Sequence, residues 1–324
     1  MLISSHLKYK NNMSFSSVRL LCKVLLCMAT ITSSVAHEDP ENVVSSLTHN
    51  IDHMLLEKKG NDVDPHKKSK LANLYFSRAK EFVILGDRKK AHADLIKYTQ
   101  LQPSEYIGWS ELSRVEIDGN KSTKYLKRAL KLASSNNEKS YVYYALAENA
   151  YETNQFQQAL AYCNRSLTLA EGEKITKTLF KNHLLWRLGK IEERVEFLSK
   201  SLKTNASEIL RLALIDAQLD AGQYEIVKQT IHREIRESRF KSSWLIRAAR
   251  CEKHGSKQSK QYAQSAIDEI LQRLHPARPD ITLQMDLVQA YAILNDKKAQ
   301  QYLDQIPDEE YTRLRKAELI SLMK

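Results

Sequence analysis

Seven turn-forming residues recur along the chain at a nearly constant interval. Gly86, Gly119, Asn154, Gly189, Gly222, Gly255 and Asn295 each follow an apolar pattern of helical period, with successive spacings of 33, 35, 35, 33, 33 and 40 residues. Glycine enters left-handed backbone without steric cost, and asparagine is its best substitute there. A reversal at about every 34 residues predicts an array of helical hairpins. Composition agrees. Only 8 Gly and 6 Pro occur in 324 residues, too few breakers for an architecture of short strands and tight turns. With 42% apolar and 27% charged residues, the chain can bury a core.

One stretch shows how a single unit is built. In "NLYFSRAKEFVIL", Leu74, Tyr75, Arg78, Ala79, Phe82 and Leu85 share one helical face. Gly86 ends that helix because the chain must reverse in a short loop. "RKKAHADLIKYTQL" forms the second helix, with Ala91, Leu95 and Tyr98 turned inward. Ala79 and Ala91 fall where the two helices cross, and small side chains there allow axes at the short end of the usual ~8–10 Å range. Pro103 then stops the second helix.

These landmarks (Ala79, Phe82, Gly86, Ala91 and Pro103) resemble the tetratricopeptide repeat family. The third unit, with Ala147, Ala159 and Leu167, resembles it equally. The second unit begins in pattern at Trp109 and Leu112, but its second helix starts early. The fourth to sixth are degenerate: Arg194 and Lys260 stand where the family has alanine. The last unit, around "LVQAYAILNDKKAQQYL", matches loosely. The likeness spans about residues 70–305 and implies an all-α solenoid of about six to seven helix-turn-helix repeats. It also implies a concave groove, lined by the first helices, that receives a protein or peptide partner. In this register Phe76, Lys80, Ser110, Arg114, Tyr144, Glu148, Tyr151, His183 and Arg187 face the groove. The family's carboxylate clamp needs Lys and Asn where this chain has Phe76 and Lys80, so that clamp is not carried over. Among bacterial proteins the chain resembles small secreted repeat proteins of uncharacterised role.

Residues 1–36 read as a signal peptide, with Met13 as an alternative start. Arg19 and Lys23 precede an apolar run from Val24 to Ile31, followed by Ser34 and Ala36 at the cleavage positions. The run is shorter than the ~20 residues that span a bilayer. The chain is therefore expected to be exported, periplasmic or secreted in a bacterium, without stable membrane insertion after cleavage. Residues 37–68 form a leader, with an amphipathic helix over 42–56 and a loop after it. The array occupies 69–305, and a capping helix occupies 306–324. Cys22 and Cys27 leave with the signal, whereas Cys163 and Cys251 read as small core residues too far apart to pair.

No phosphate-binding loop, dinucleotide fingerprint, zinc-protease motif or nucleophile elbow is present, so no enzyme and no cofactor are expected. Ser77 and Lys80 fit a Ser-x-x-Lys pattern inside the first repeat helix, without its companion motifs. The net charge is +11, from 50 basic and 39 acidic residues. Without the four basic residues of 1–36 it is +7. No nucleic-acid module accompanies the charge, and no nucleic-acid partner is expected. Two alternatives to a protein-binding module follow from the residues. His37, His49 and His53 could bind metal, or the basic surface could contact an anionic polymer as part of an envelope structure.

Overall fold

The computed structural model describes residues 39–56, 64–172, 174–238, 240–275 and 280–306, together with Lys316, Leu319 and Ile320. Among them run fifteen α-helices and no strand. Helix α1 covers Pro40–Leu56. Seven hairpins follow: α2 (Pro65–Ile84) with α3 (Arg88–Leu101), α4 (Tyr106–Val115) with α5 (Gly119–Leu132), and α6 (Asn136–Glu152) with α7 (Phe156–Leu169). Then come α8 (Ile175–Arg187) with α9 (Ile191–Thr204), α10 (Glu208–Asp220) with α11 (Tyr224–Glu237), α12 (Ser242–Cys251) with α13 (Lys257–Arg273), and α14 (Ile281–Ile293) with α15 (Lys298–Gln305). The signal segment, His37 and most of the expected C-terminal cap lie outside the described residues. No described helix is long and apolar enough to cross a membrane.

The recurring reversal has one physical form. At Gly86 the backbone enters left-handed space at φ 77°, and the Asp87 N–H donates to the Phe82 carbonyl five residues back at 2.8 Å. The same closure joins Gln155 to Ala150, Lys190 to Leu185, Gln223 to Gln218 and Asp296 to Tyr291. Each bond satisfies a carbonyl that the helix end would otherwise leave open.

Two units depart from that form. Gly119, expected to be a turn residue, is instead the first residue of α5, capped by the Asp118 carboxylate, which accepts from the Asn120 and Lys121 N–H groups. Near Gly255 the first helix ends at Cys251, four residues before the glycine rather than two, while Ser256 caps α13 directly after the glycine as Asp87 does after Gly86. The crossing residue differs there too. Lys260, expected at the alanine place, is exposed, and Ser259 fills it at 1% exposure. Ser122 does the same in the second unit at 1%. Each serine offsets its buried hydroxyl by donating to the partner helix: Ser122 Oγ to the Ser113 carbonyl at 3.0 Å and Ser259 Oγ to the Ala249 carbonyl at 2.9 Å.

Packing follows the hairpin plan. Ala79 and Ala91 are buried in one cluster with Phe82, Leu95, Leu112 and Val115, so the first hairpin shares its core with the second. Phe180, Leu184 and Leu185 join Tyr144, Ala147, Ala159 and Cys163 across the third and fourth. Burying each such large side chain contributes about 2 kcal/mol. Helix α1 docks on this stack through Ile51, 2% exposed, and through Arg78 Nη1, which donates to Thr48 Oγ1 at 3.1 Å. Helix α2 begins at Pro65, capped by Asp64, so residues 66–68 are helical rather than part of the expected loop. Between several neighbouring hairpins the first helices pack directly on one another, and second helices do so less. That asymmetry sets the first helices along the inside of the curve. Leu319 is buried against Met285, Val288, Leu303 and Ile306 and closes the far end.

Candidate functional site

The inner wall is built from the first helices, which carry all nine groove residues expected from the sequence. Most of these side chains serve the wall itself. Tyr144 is 6% exposed and meets Phe180 edge-on at 5.5 Å. Ser110 is wholly buried, and its Oγ has no hydrogen-bond partner. Glu148, 2% exposed, pairs with Arg114 across the α4–α6 junction, Nη2 to Oε2 at 3.0 Å. The Arg114 guanidinium also lies 5.1 Å from the Tyr141 ring centre. Phe76 packs on Tyr98 at 4.9 Å. Lys80 is exposed.

Tyr141 was not among the expected residues, yet it completes the second-to-third junction by donating its hydroxyl to Glu111. Burial pushes its pKa well above the ordinary tyrosine value, so it stays a donor. The aromatic stretch "YVYYALAENAY" carried the signal, but not which tyrosines would face which neighbour.

Between the third and fourth units an aromatic ladder crosses the wall. Tyr151 packs on Phe156 at 5.3 Å and on His183 at 5.3 Å, and His183 packs on Trp186 at 5.5 Å. The Tyr151 hydroxyl lies 2.7 Å from His183 Nε2. Burial, reinforced by the positive charges of Arg187 and Arg194, pushes the His183 pKa down to about 3. The ring is neutral at ordinary pH and shares a hydrogen bond with the tyrosine hydroxyl. Arg187 lies 4.7 Å from the Phe156 ring centre. The ladder runs from buried Tyr151 to Trp186, whose indole is 38% exposed.

The next junctions are ionic. Asp216 accepts Arg247 Nη2 at 2.6 Å and Arg250 Nη1 at 2.8 Å. Asp220 faces Arg194 Nη1 at 2.5 Å and Arg250 Nη2 at 3.8 Å. Arg194, in the alanine place of the fourth unit, thus bridges the fourth to the fifth, and its Nε donates to Asn182 Oδ1 at 2.7 Å. This network was not expected, because the partners lie 26 to 34 residues apart. Of the wall residues named, Lys80, Trp186, Arg187 and Asp220 remain exposed.

His49 and His53 both lie on α1. Among the described residues no group of three or more His, Cys, Asp or Glu side chains is placed to hold a metal. Cys163 and Cys251 are free and buried, as core residues should be.

No protein-family model matches the chain, and no curated protein matches it. Solved structures do. A tetratricopeptide repeat protein from Parabacteroides merdae aligns at 16% identity over 78% of this chain and 98% of its own, with a TM-score of 0.53. Yeast Tom70 aligns at 17% identity over 86% of this chain and 59% of its own, with a TM-score of 0.54. Identity at this level speaks for the fold. With seven stacked hairpins, left-handed Gly or Asn reversals and small residues at the crossings, the chain has the tetratricopeptide repeat fold.

Proposed function

We propose that this chain is a non-enzymatic interaction module that binds a segment of another protein against the inner wall of its fourth unit, acting as an adaptor or assembly helper outside the cytoplasm. The observation that carries this reading is the ladder ending at Trp186. A large amphipathic ring, backed by His183 and Tyr151 and flanked by the Arg187 guanidinium, is held rigidly while 38% exposed. Tryptophan and arginine on a preorganised support are the side chains that most often anchor a protein partner. The fold supports a protein-binding role, and the basic, apolar and small-residue plan of residues 13–36 supports export.

A photo-crosslinking residue at position 186 tests the site in the producing cell. A discrete adduct from that position, absent from a second-helix position such as Lys203, is expected. Equal adducts from both, or none from position 186, would remove the assignment. Export is tested separately by sequencing the mature N-terminus, which should begin at His37.

A further inference from the structure

The outer helices of the first two hairpins carry charge of one sign. On α5, Lys121, Lys124, Arg128 and Lys131 follow one another at intervals of three, four and three residues, so they share one helical stripe, with Lys127 beside it. All five are exposed, and the helix holds no acid. On α3, Lys89, Lys90 and Lys97 are exposed, while its one acid, Asp94, is buried on Arg78. Second helices are not all like this. On α9 the exposed Glu192, Glu193 and Glu196 balance Arg194, Lys200 and Lys203.

Aliphatic side chains stand beside this charge. First and second helices alternate in direction, so the reversals within hairpins lie on one edge of the array. Ile84 at the first reversal and Ile117 at the second are 59% and 65% exposed, and Leu85 is exposed too. The two reversals are tied together: Arg88 Nη2 donates to the Arg114 carbonyl at 3.5 Å, and His92 Nε2 lies 3.4 Å from Glu116 Oε2. The acids of this edge are already engaged. Asp87 caps α3 and pairs with Lys90, Glu116 accepts from the Ile117 and Asp118 N–H groups, and Asp118 caps α5. Lys89 and Lys121, in the first turns of α3 and α5, therefore flank three large aliphatic side chains open to solvent.

We propose that this edge docks on an anionic lipid bilayer, with Ile84, Leu85 and Ile117 in the acyl boundary and the lysines of α3 and α5 against the headgroup phosphates. Attraction to an anionic leaflet draws the basic stripe to the surface, and burial of the aliphatic side chains holds it there. Those side chains decide between polyanions: a nucleic acid or an acidic polysaccharide would use the lysines and leave Ile117 in water. The second helices also lie on the outside of the curve, and an outward-curving face can rest on a plane but cannot wrap a rod. The contact uses different residues from the inner wall, so its failure leaves the preceding reading intact.

The test places an environment-sensitive fluorescent residue at position 117 of the full chain, with position 203 on α9 as control. Vesicles of phosphatidylcholine with phosphatidylglycerol should shift the emission at 117 to the blue, saturably, and leave position 203 unchanged. Pure phosphatidylcholine should shift neither. Lys121→Gln and Lys124→Gln should each weaken partition about fivefold, and added salt should weaken it further. Ile84→Ser should weaken it although no charge is lost. These side chains are exposed, so replacing them opens no core. The proposal is overturned if position 117 stays in water with the anionic vesicles, as it would if another part of the chain made the attachment. It is equally overturned if pure phosphatidylcholine gives the same shift, or if the lysine variants partition like the wild type. Binding to heparin or duplex DNA that is as tight as to the vesicles, and indifferent to Ile84→Ser, would assign the stripe to a soluble polymer instead.

Discussion

Arg78 and Asp94 grip each other through two parallel bonds, Nε to Oδ2 at 2.7 Å and Nη2 to Oδ1 at 2.8 Å, inside the first hairpin. Their side chains are 16% and 7% exposed, and Arg78 also reaches Thr48 on α1. A buried pair of this kind is weak evidence of net stability, but breaking it strands a charge. Asp94→Ala should therefore destabilise the chain by about 3 kcal/mol, whereas the double change Arg78→Met with Asp94→Leu should cost much less. Urea midpoints of the three proteins decide this. Equal losses in the single and double variants would mean that packing, not charge, holds the site.

Arg194 gives the converse case. The family pattern would place alanine there, and a consensus argument would predict a gain from Arg194→Ala. The structure predicts a loss of about 2 kcal/mol, because the change removes the donor to Asn182, leaves Asp220 only the more distant Arg250, and opens space beneath α9. A raised melting temperature in Arg194→Ala would contradict this.

These two sites show what was and was not legible in the sequence. The turn rhythm, the crossing alanines and the burial of Cys163 were readable because each depends on residues close in sequence or on a fixed offset. The charge bridges were not, because Arg194 and Asp220, or Arg250 and Asp216, meet only when one hairpin stacks on the next. The groove residues suffered from the same gap. A first-helix position such as Tyr144 or Glu148 can face solvent or the neighbouring helix, and the separation between units decides which. Lys260 was misplaced for a local reason: α12 ends four residues before Gly255 instead of two, and at the crossing the preceding residue, Ser259, is the one buried.

Glycine at two places should fail for opposite reasons when replaced by alanine. At Gly189 the backbone is left-handed, with φ 66° and open space around a new methyl group. The cost there is conformational, about 1 kcal/mol. At Gly108 the backbone is ordinary helix, but a methyl group would sit 2.4 Å from the Tyr98 ring. That overpacking should cost about 1–3 kcal/mol. Pairing Gly108→Ala with Tyr98→Leu should recover part of the loss, and no change at Tyr98 should rescue Gly189→Ala. Thermal melts of the paired variants separate the two mechanisms.

Cys163 should be inert. Burial pushes its pKa up to about 12, so almost no thiolate forms at neutral pH. An aromatic disulfide reagent should label it only as fast as the chain opens, and rapid labelling in the folded protein would show that the α7–α8 contact is looser than the structure has it. Cys251, pushed up to about 11, should behave alike.

His183 should make stability fall on mild acidification. Its folded pKa is pushed down to about 3 by burial and by Arg187 and Arg194, against about 6.5 in an unfolded chain. Between those values the unfolded state binds a proton that the folded state refuses, so stability rises with pH across the window and is fully present above about 6.5. Each pH unit within the window is worth about 1.4 kcal/mol, so moving from pH 6.5 to 5 should cost about 2 kcal/mol from this residue. Protonation would also put a positive charge beside those of Arg187 and Arg194, so the ladder beneath Trp186 would loosen in the same window. His183→Phe removes the titration and should flatten the urea-midpoint profile between pH 6.5 and 5, above the range where most carboxylates titrate. A wild-type profile as flat as that of His183→Phe would mean that the imidazole is solvated and that Trp186 rests on a softer support than the distances imply.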